Sequence, residues 1–212
     1  MIRMDIIHFL SIRKDDPKKW VKYYEIETSK YYDYLLNMIP NNQQILEIGS
    51  GGGVFYVTHQ DVLAQRNNQY TCIDINEQSI DYSKTQCDYV DFQVKNVCDY
   101  TIEDFAQYDM LLLVQSYIQI PNIETVFETY FESNPNGCIM MVNTIFPPSL
   151  KQIVSFCKTR MLPKLLNNDC VTGKALTLCE IDALSERLGR TVTNIFICKS
   201  LSGFSEYLTI IR

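Results

Sequence analysis

The chain alternates short runs of branched apolar residues with stretches in which apolar side chains recur every three or four positions. The runs predict buried strands at 45–48, 70–75, 92–94, 110–114 and 138–142. The longer spacing predicts helices at about 54–65, 77–86 and 122–133. Strands and helices that alternate in this way are typical of a parallel sheet with helices on both faces.

The two ends of the chain depart from this alternation. Asp16 and Pro17 predict the start of a helix that ends at Pro40. Near the other end, a helix at about 179–189 is followed by apolar runs at 192–198 and 204–211. The loop between these two runs is so short that the strands must be antiparallel. We therefore predict an α/β fold with a seven-stranded, mostly parallel sheet, an antiparallel last strand and helices on both faces.

Composition narrows the class of protein. The chain has 212 residues, of which 46% are hydrophobic and 21% charged, so it is long enough for one globular domain with a full core. A net charge of −6 does not favour a broad surface for nucleic acid. Eight cysteines form no C-x-x-C pair, which predicts free thiols in a reducing compartment and no metal site. With no leader-like segment and no apolar run near the ~20 residues of a membrane span, we expect a cytoplasmic protein without membrane contact.

One segment has the opposite charge to the rest of the chain. Between Pro147 and Lys174, five basic residues and a single acid, Asp169, give a net charge of +4. The basic residues are Lys151, Lys158, Arg160, Lys164 and Lys174. The segment is interpreted either as a solvated helical face or as a clamp for an anionic substrate, such as the diphosphate of a nucleotide-sugar. The same charge is also suited to RNA or an acidic protein tail.

Glycines follow the first predicted strand directly. They stand at positions 49, 51, 52 and 53, before the apolar helix that begins near Val54. A strand, a glycine turn and a helix N-terminus expose backbone N–H groups that can cradle a ligand. The dinucleotide fingerprint G-x-G-x-x-G is not satisfied, because Val54 occupies the place of its third glycine. Counted from Glu47, the stretch is E-x-G-x-G-x-G.

That pattern resembles motif I of the class I S-adenosylmethionine-dependent methyltransferases, and the resemblance extends over about residues 41–212. Asp74 ends the second strand, 21 positions after Gly53, where the family holds an acid for the ribose hydroxyls. Asn96 and Val97 follow Phe92 as in the family's adenine motif. Tyr108 and Asp109 before the fourth strand, Asn136 and Gly137 before the fifth, and the antiparallel last strand also match the family.

The resemblance implies a Rossmann-like fold, S-adenosylmethionine as cofactor and S-adenosylhomocysteine as product. It also implies which residues bind the cofactor: Glu47, Gly49, Ser50, Gly51, Gly53, Asp74, Ile75, Asn96, Val97 and Gln115. The whole chain is then a single methyltransferase domain. Its parts are an N-terminal helical cap (1–40), a cofactor-binding half (41–146), a basic substrate-recognition insertion (147–175) and a C-terminal helix with a β-hairpin (176–212).

The acceptor is expected where the fourth and fifth strands end. The sequence Val-Gln-Ser-Tyr-Ile after the fourth strand lacks the Asn/Asp-Pro-Pro-aromatic motif of base-amine methyltransferases and looks more like small-molecule enzymes, including those acting on sugars. Tyr117 is our catalytic or orienting candidate, with a packing aromatic as the alternative, and His8 is a second candidate from the N-terminal arm. Candidate substrate contacts are Tyr31, Asn143, Lys158 and Arg160.

Three functions are compatible with the sequence. The first is methyl transfer to an O or N atom of a small molecule, either anionic or neutral. A sugar or a nucleotide-sugar is an example of such an acceptor. The second is methyl transfer to a protein or RNA through the basic insertion. The third is a non-catalytic scaffold that binds the cofactor, because no residue is an unmistakable catalyst.

Overall fold

The computed structural model describes residues 32–145, 176–199 and 205–212. Residues 1–31 of the predicted N-terminal cap and the whole of the predicted basic insertion (147–175) therefore lie outside the described residues. The same holds for four candidate site residues of the sequence analysis, namely His8, Tyr31, Lys158 and Arg160.

Seven strands form one sheet. They are β1 (Gln44–Ile48), β2 (Gln69–Asp74), β3 (Asp91–Val94), β4 (Met110–Val114), β5 (Cys138–Ile145), β6 (Val192–Lys199) and β7 (Ser205–Ile211). The helices are α1 (Val54–Gln65), α2 (Glu77–Lys84), α3 (Ile102–Phe105), α4 (Ile123–Ser133) and α5 (Leu178–Arg187), and residues 32–38 are also helical. Single 3-10 turns occupy Val97–Asp99 and Tyr117–Gln119.

The sheet has the strand order β3-β2-β1-β4-β5-β7-β6. Strands β1 to β5 pair in parallel, whereas β7 lies antiparallel between β5 and β6. The predicted fold class is thus confirmed: an α/β sheet, mostly parallel, with an antiparallel last strand. The carboxyl ends of β1, β2 and β4 meet at one edge, which we call the carboxyl edge.

Two apolar cores cover the faces of the sheet. One packs α1 and the helical residues 32–38 against side chains such as Ile45, Cys72 and Leu112. The other packs α4 and α5 against side chains such as Leu46 and Leu113. Neighbouring residues of a strand supply opposite cores, as the alternation of side chains along a strand requires. Burial on both faces explains why these strands read as continuous apolar runs.

The element bounds differ from the sequence prediction in a few places. Strand β5 continues to Ile145 rather than ending at 142, because Ile145 pairs with Ser205 of β7. Helix α2 ends at Lys84 rather than at residue 86. Thr85 caps the helix there, and its hydroxyl donates to Tyr82 O at 2.7 Å. The short helix α3 and the two 3-10 turns were not predicted.

Candidate functional site

The glycine loop between β1 and α1 is bonded to the end of β2. The N–H groups of Gly49 and Ser50 both donate to Ile73 O, at 2.8 and 3.1 Å. The N–H of Gly51 donates to Asp74 Oδ2 at 2.9 Å. These three bonds hold the loop over the carboxyl edge and place it directly beside the Asp74 carboxylate.

Glycine is required in this loop for two separate reasons. Gly49, Gly51 and Gly53 adopt φ angles of +71°, +54° and +67°, in the left-handed region that side chains disfavour. A Cβ on Gly49 would also lie 2.6 Å from Ser116 Cβ, so the loop packs tightly against the turn that follows β4. A Cβ on Gly53 would likewise lie 3.0 Å from Cε1 of the Phe92 ring. Two glycines of the motif therefore serve the fold as well as any ligand.

Asp74 presents a carboxylate at the carboxyl edge. Its Oδ2 accepts from Gly51 N and its Oδ1 from Asn76 N, each at 2.9 Å. A carboxylate oxygen has two acceptor positions, so each oxygen keeps one for an external donor. The next side chain, Ile75, is 74% exposed, a high value for an isoleucine. A fixed carboxylate and an exposed apolar surface thus stand side by side.

Asn96 and Val97 follow β3 at the same edge. Asn96 caps the 3-10 turn, and its Oδ1 accepts from Cys98 N at 3.1 Å. Asn96 is exposed, whereas the Val97 side chain is buried in the core on the α4 side. Asn96 therefore offers polar atoms to the solvent side of the edge, and Val97 offers only its backbone there.

Glu47 lies inside the protein and not on the surface of the loop. It is 3% exposed, and its carboxylate is near the Tyr56 hydroxyl and 3.9 Å from Cys72 Sγ. Burial raises its pKa from 4.5 to about 7, although Tyr56 and Cys72 act in the opposite direction. A direct contact between Glu47 and a ligand stays a prediction, one that its position beneath the loop disfavours.

The turn after β4 brings a second polar pair to the edge. Gln115 has a φ of +58°, and its N–H donates to Val142 O at 3.0 Å. Its Nε2 donates to Glu206 Oε2 at 2.7 Å. Glu206, on β7, is 3% exposed. The sequence analysis did not single out Glu206, because the two residues are 91 positions apart and only the pairing of β5 with β7 brings them together.

Tyr117 and Asn143, two further candidates, are both interior residues. Tyr117 is 1% exposed within the core on the α4 side, and burial raises its pKa to about 12. Asn143 is fully buried, and its Nδ2 donates to Thr209 Oγ1 at 3.2 Å. The packing alternative for Tyr117 is therefore the better description of its side chain, and contact of either residue with a substrate stays a prediction.

The histidine on α1, His59, has a structural environment. Its ring packs against Tyr32 and Phe55, with Nδ1 at 3.0 Å from Phe55 O. Within residues 32–145, 176–199 and 205–212, no group of three metal-ligating side chains comes together. No helix in the described part of the chain is long and apolar enough to cross a membrane.

Comparisons with known proteins identify the fold. No family model and no curated protein sequence matches the chain. A Mesorhizobium loti S-adenosylmethionine-dependent methyltransferase superposes with a TM-score of 0.63 and 11% identity, over 87% of this chain and 98% of its own. A Listeria monocytogenes protein assigned to the same class superposes with a TM-score of 0.65 and 15% identity. That match covers 87% of this chain and 98% of the Listeria protein.

A third solved structure is a complex of the Haloferax volcanii Trm112 methyltransferase activator with a methyltransferase. It matches with a TM-score of 0.67 and 11% identity, over 93% of this chain and 97% of its own. At such low identities the likeness concerns the fold. The chain has the Rossmann-like fold of the class I S-adenosylmethionine-dependent methyltransferases, as the resemblance implied.

Proposed function

We propose that the chain binds S-adenosylmethionine, transfers its methyl group to an O or N atom of a small molecule and releases S-adenosylhomocysteine. The observation that carries the proposal is the bond from Gly51 N to Asp74 Oδ2, which joins the glycine loop and the acid at one edge of this fold. Ligands of open α/β sheets bind outside the carboxyl ends of the strands, which is where these groups lie.

The residues at the edge fit the chemistry of the cofactor. Asp74 can accept bonds from both ribose hydroxyls, since each of its oxygens keeps an acceptor position. The exposed Ile75 side chain suits one face of the adenine ring. Asn96 and the Val97 backbone are proposed to bind the adenine edge.

The glycine loop and the turn after β4 are proposed to hold the amino-acid end of the cofactor. The residues proposed for this role are Gly49, Ser50, Gly51, Gly53 and Gln115. When bound, the cofactor supplies an activated methyl group on its sulfonium. The protein then has to hold the acceptor in line with that group and exclude water.

We favour a sugar or nucleotide-sugar as acceptor. The sequence after β4 lacks the motif of base-amine methyltransferases, and the +4 charge of residues 147–174 suits an anionic acceptor. Lys158 and Arg160 are the proposed contacts for the anion, with Tyr31, Asn143, Tyr117 and His8 as further candidates around the acceptor. The same charge favours a second candidate function, methylation of a protein or an RNA. The buried free thiols Cys72 and Cys87 suit a reducing compartment such as the cytoplasm.

The test is calorimetric titration of S-adenosylhomocysteine into the wild type, with NAD as the control ligand. Asp74→Asn should weaken binding by roughly 100-fold, because two charge-assisted bonds of ~1.5–3 kcal/mol each lose their charge. Asp88→Asn, a change at an exposed aspartate outside the edge, should bind as the wild type does. Tight binding of NAD, or equal affinity in both variants, would contradict the proposal. Binding of the cofactor product without turnover of any acceptor would favour the scaffold alternative.

A further inference from the structure

The pair formed by Gln115 and Glu206 lies where β4 and β5 end. Glu206 is the second residue of β7 and pairs with Thr144 near the carboxyl end of β5. A carboxylate taken out of water costs free energy unless it is hydrogen bonded, and the Gln115 amide supplies one such bond at 2.7 Å. The Nε2–H donor points at Oε2, so that oxygen acts as an acceptor.

The pair lies next to the proposed cofactor loop. Gln115 is followed by Ser116, whose hydroxyl donates to Ile48 O at the end of β1. Ser116 is also the residue against which Gly49 packs, with 2.6 Å between its Cβ and the position of a Cβ on Gly49. One residue thus separates the Gln115–Glu206 pair from the loop that would hold the amino-acid end of the cofactor.

The carboxylate of Glu206 also lies within electrostatic range of Tyr117, in the turn that follows β4. The charges of Glu180 and Glu206 both raise the pKa of Tyr117, after burial as the larger cause. Glu206 therefore acts on the turn that follows β4 as well as on Gln115. Its carboxylate belongs to the part of the edge where β4 and β5 end, the expected position of a methyl acceptor.

We propose that Glu206, held by Gln115, contacts the methyl acceptor and takes its proton. The inference rests on the proposed function. The acceptor's lone pair forms the bond to the methyl carbon, the electrons of the S–C bond remain on sulfur, and the O–H or N–H proton passes to a Glu206 oxygen and then to solvent. The reacting group of the acceptor is accordingly a hydroxyl or an amine with a proton to lose, and not an anionic oxygen.

The test uses sinefungin, a cofactor analogue with an ammonium group in place of the transferable methyl. That ammonium faces the acceptor position, so a carboxylate there should bind it. We expect the wild type to prefer sinefungin over S-adenosylhomocysteine by about 10- to 100-fold, the range of a charge-assisted hydrogen bond. Glu206→Gln should abolish the preference, while its affinity for S-adenosylhomocysteine should stay within about threefold of the wild type. Glu128→Gln, a change at an exposed glutamate on α4, is the matched control and should keep the preference.

The outcomes separate this inference from the proposed function. If S-adenosylhomocysteine does not bind the wild type, the proposed function fails. If it binds but the preference for sinefungin is absent, or is equal in wild type and Glu206→Gln, the assignment of Glu206 is overturned. Glu206→Asp keeps the charge and shortens the side chain, so a folded Glu206→Asp protein should show a reduced preference. If Glu206→Gln does not fold, Glu206→Asp decides the test. An unchanged preference for sinefungin in Glu206→Asp would then overturn the assignment.

Discussion

Glu47 should make the protein less stable as the pH rises from 5 to 8. Its carboxyl group is 3% exposed, and burial raises its pKa in the folded protein to about 7, with the charge of Asp74 adding to the effect. In the unfolded chain the same group titrates at its ordinary pKa of 4.5. Between these two values the folded state binds more protons than the unfolded state, so the free energy of unfolding falls as the pH rises.

The magnitude follows from the two pKa values. One pH unit corresponds to 1.36 kcal/mol, so full ionisation of Glu47 in the folded protein costs about 3.4 kcal/mol. From pH 5 to pH 8 the loss is about 2.5 kcal/mol, because part of the titration of the unfolded chain is already complete at pH 5. That loss is a large share of the ~5–15 kcal/mol by which domains are stable.

The measurement is urea unfolding of the wild type and Glu47→Gln at pH 5, 6, 7 and 8. Glutamine has the same shape and no charge, so the variant should lack the Glu47 contribution and gain stability relative to the wild type, by about 2.5 kcal/mol more at pH 8 than at pH 5. Glu128→Gln, at an exposed position, should follow the wild type across the range. Parallel stability curves for Glu47→Gln and the wild type would refute the reasoning, because Glu47 would then titrate as it does in the unfolded chain.

Two further predictions concern single side chains. Gly49→Ala should cost about 3 kcal/mol or more and impair binding of S-adenosylhomocysteine, since it adds a clash with Ser116 to the strain of a left-handed φ. Gly189→Ala has a similar φ of +64° and nothing within 4 Å of the new Cβ, so it should cost only about 1 kcal/mol; equal losses in urea unfolding would contradict the role of the clash. Tyr117→Phe should change the free energy of unfolding by less than about 1 kcal/mol and Tyr117→Ala should cost ~3–5 kcal/mol, because the ring is packed in the core. A larger effect of the phenylalanine variant on methyl transfer than on stability would restore Tyr117 as a catalytic candidate.

The sequence predicted the fold because its signals are local. Strands buried on both faces appear as apolar runs, as in Met110–Val114, and amphipathic helices appear in the spacing of their apolar residues. The short loop after residue 199 was enough to predict an antiparallel ending. Elements of three or four residues, such as Val97–Asp99, carry no period and were missed. The limits of β5 were missed for another reason, since its last residues are strand only because β7 pairs with them.

The candidate site was predictable in part. Asp74 and the glycine loop were found because both follow strands whose ends meet at one edge of a parallel sheet. A motif does not show which way each of its side chains points. Glu47 belongs to the same motif as Gly49, yet the alternation of side chains along β1 directs Glu47 into the core beside α1. Glu206 gave no signal, because nothing in the sequence around it indicates the bond to Gln115, 91 positions away.

The close packing of Gly49 against Ser116 is a second reason for a glycine at the first position of the motif. A glycine in such a loop is usually attributed to the close approach of a ligand, yet here the atom that excludes a side chain is Ser116 Cβ. Because Ser116 is adjacent to Gln115, and Gln115 donates to Glu206, this contact joins the cofactor loop to the proposed acceptor side. A change at Gly49 should therefore disturb the preference for sinefungin as well as the binding of S-adenosylhomocysteine, whereas a change at Glu206 should disturb the preference alone. That asymmetry follows from the order of the contacts, since the loop supports the turn and the turn positions the carboxylate.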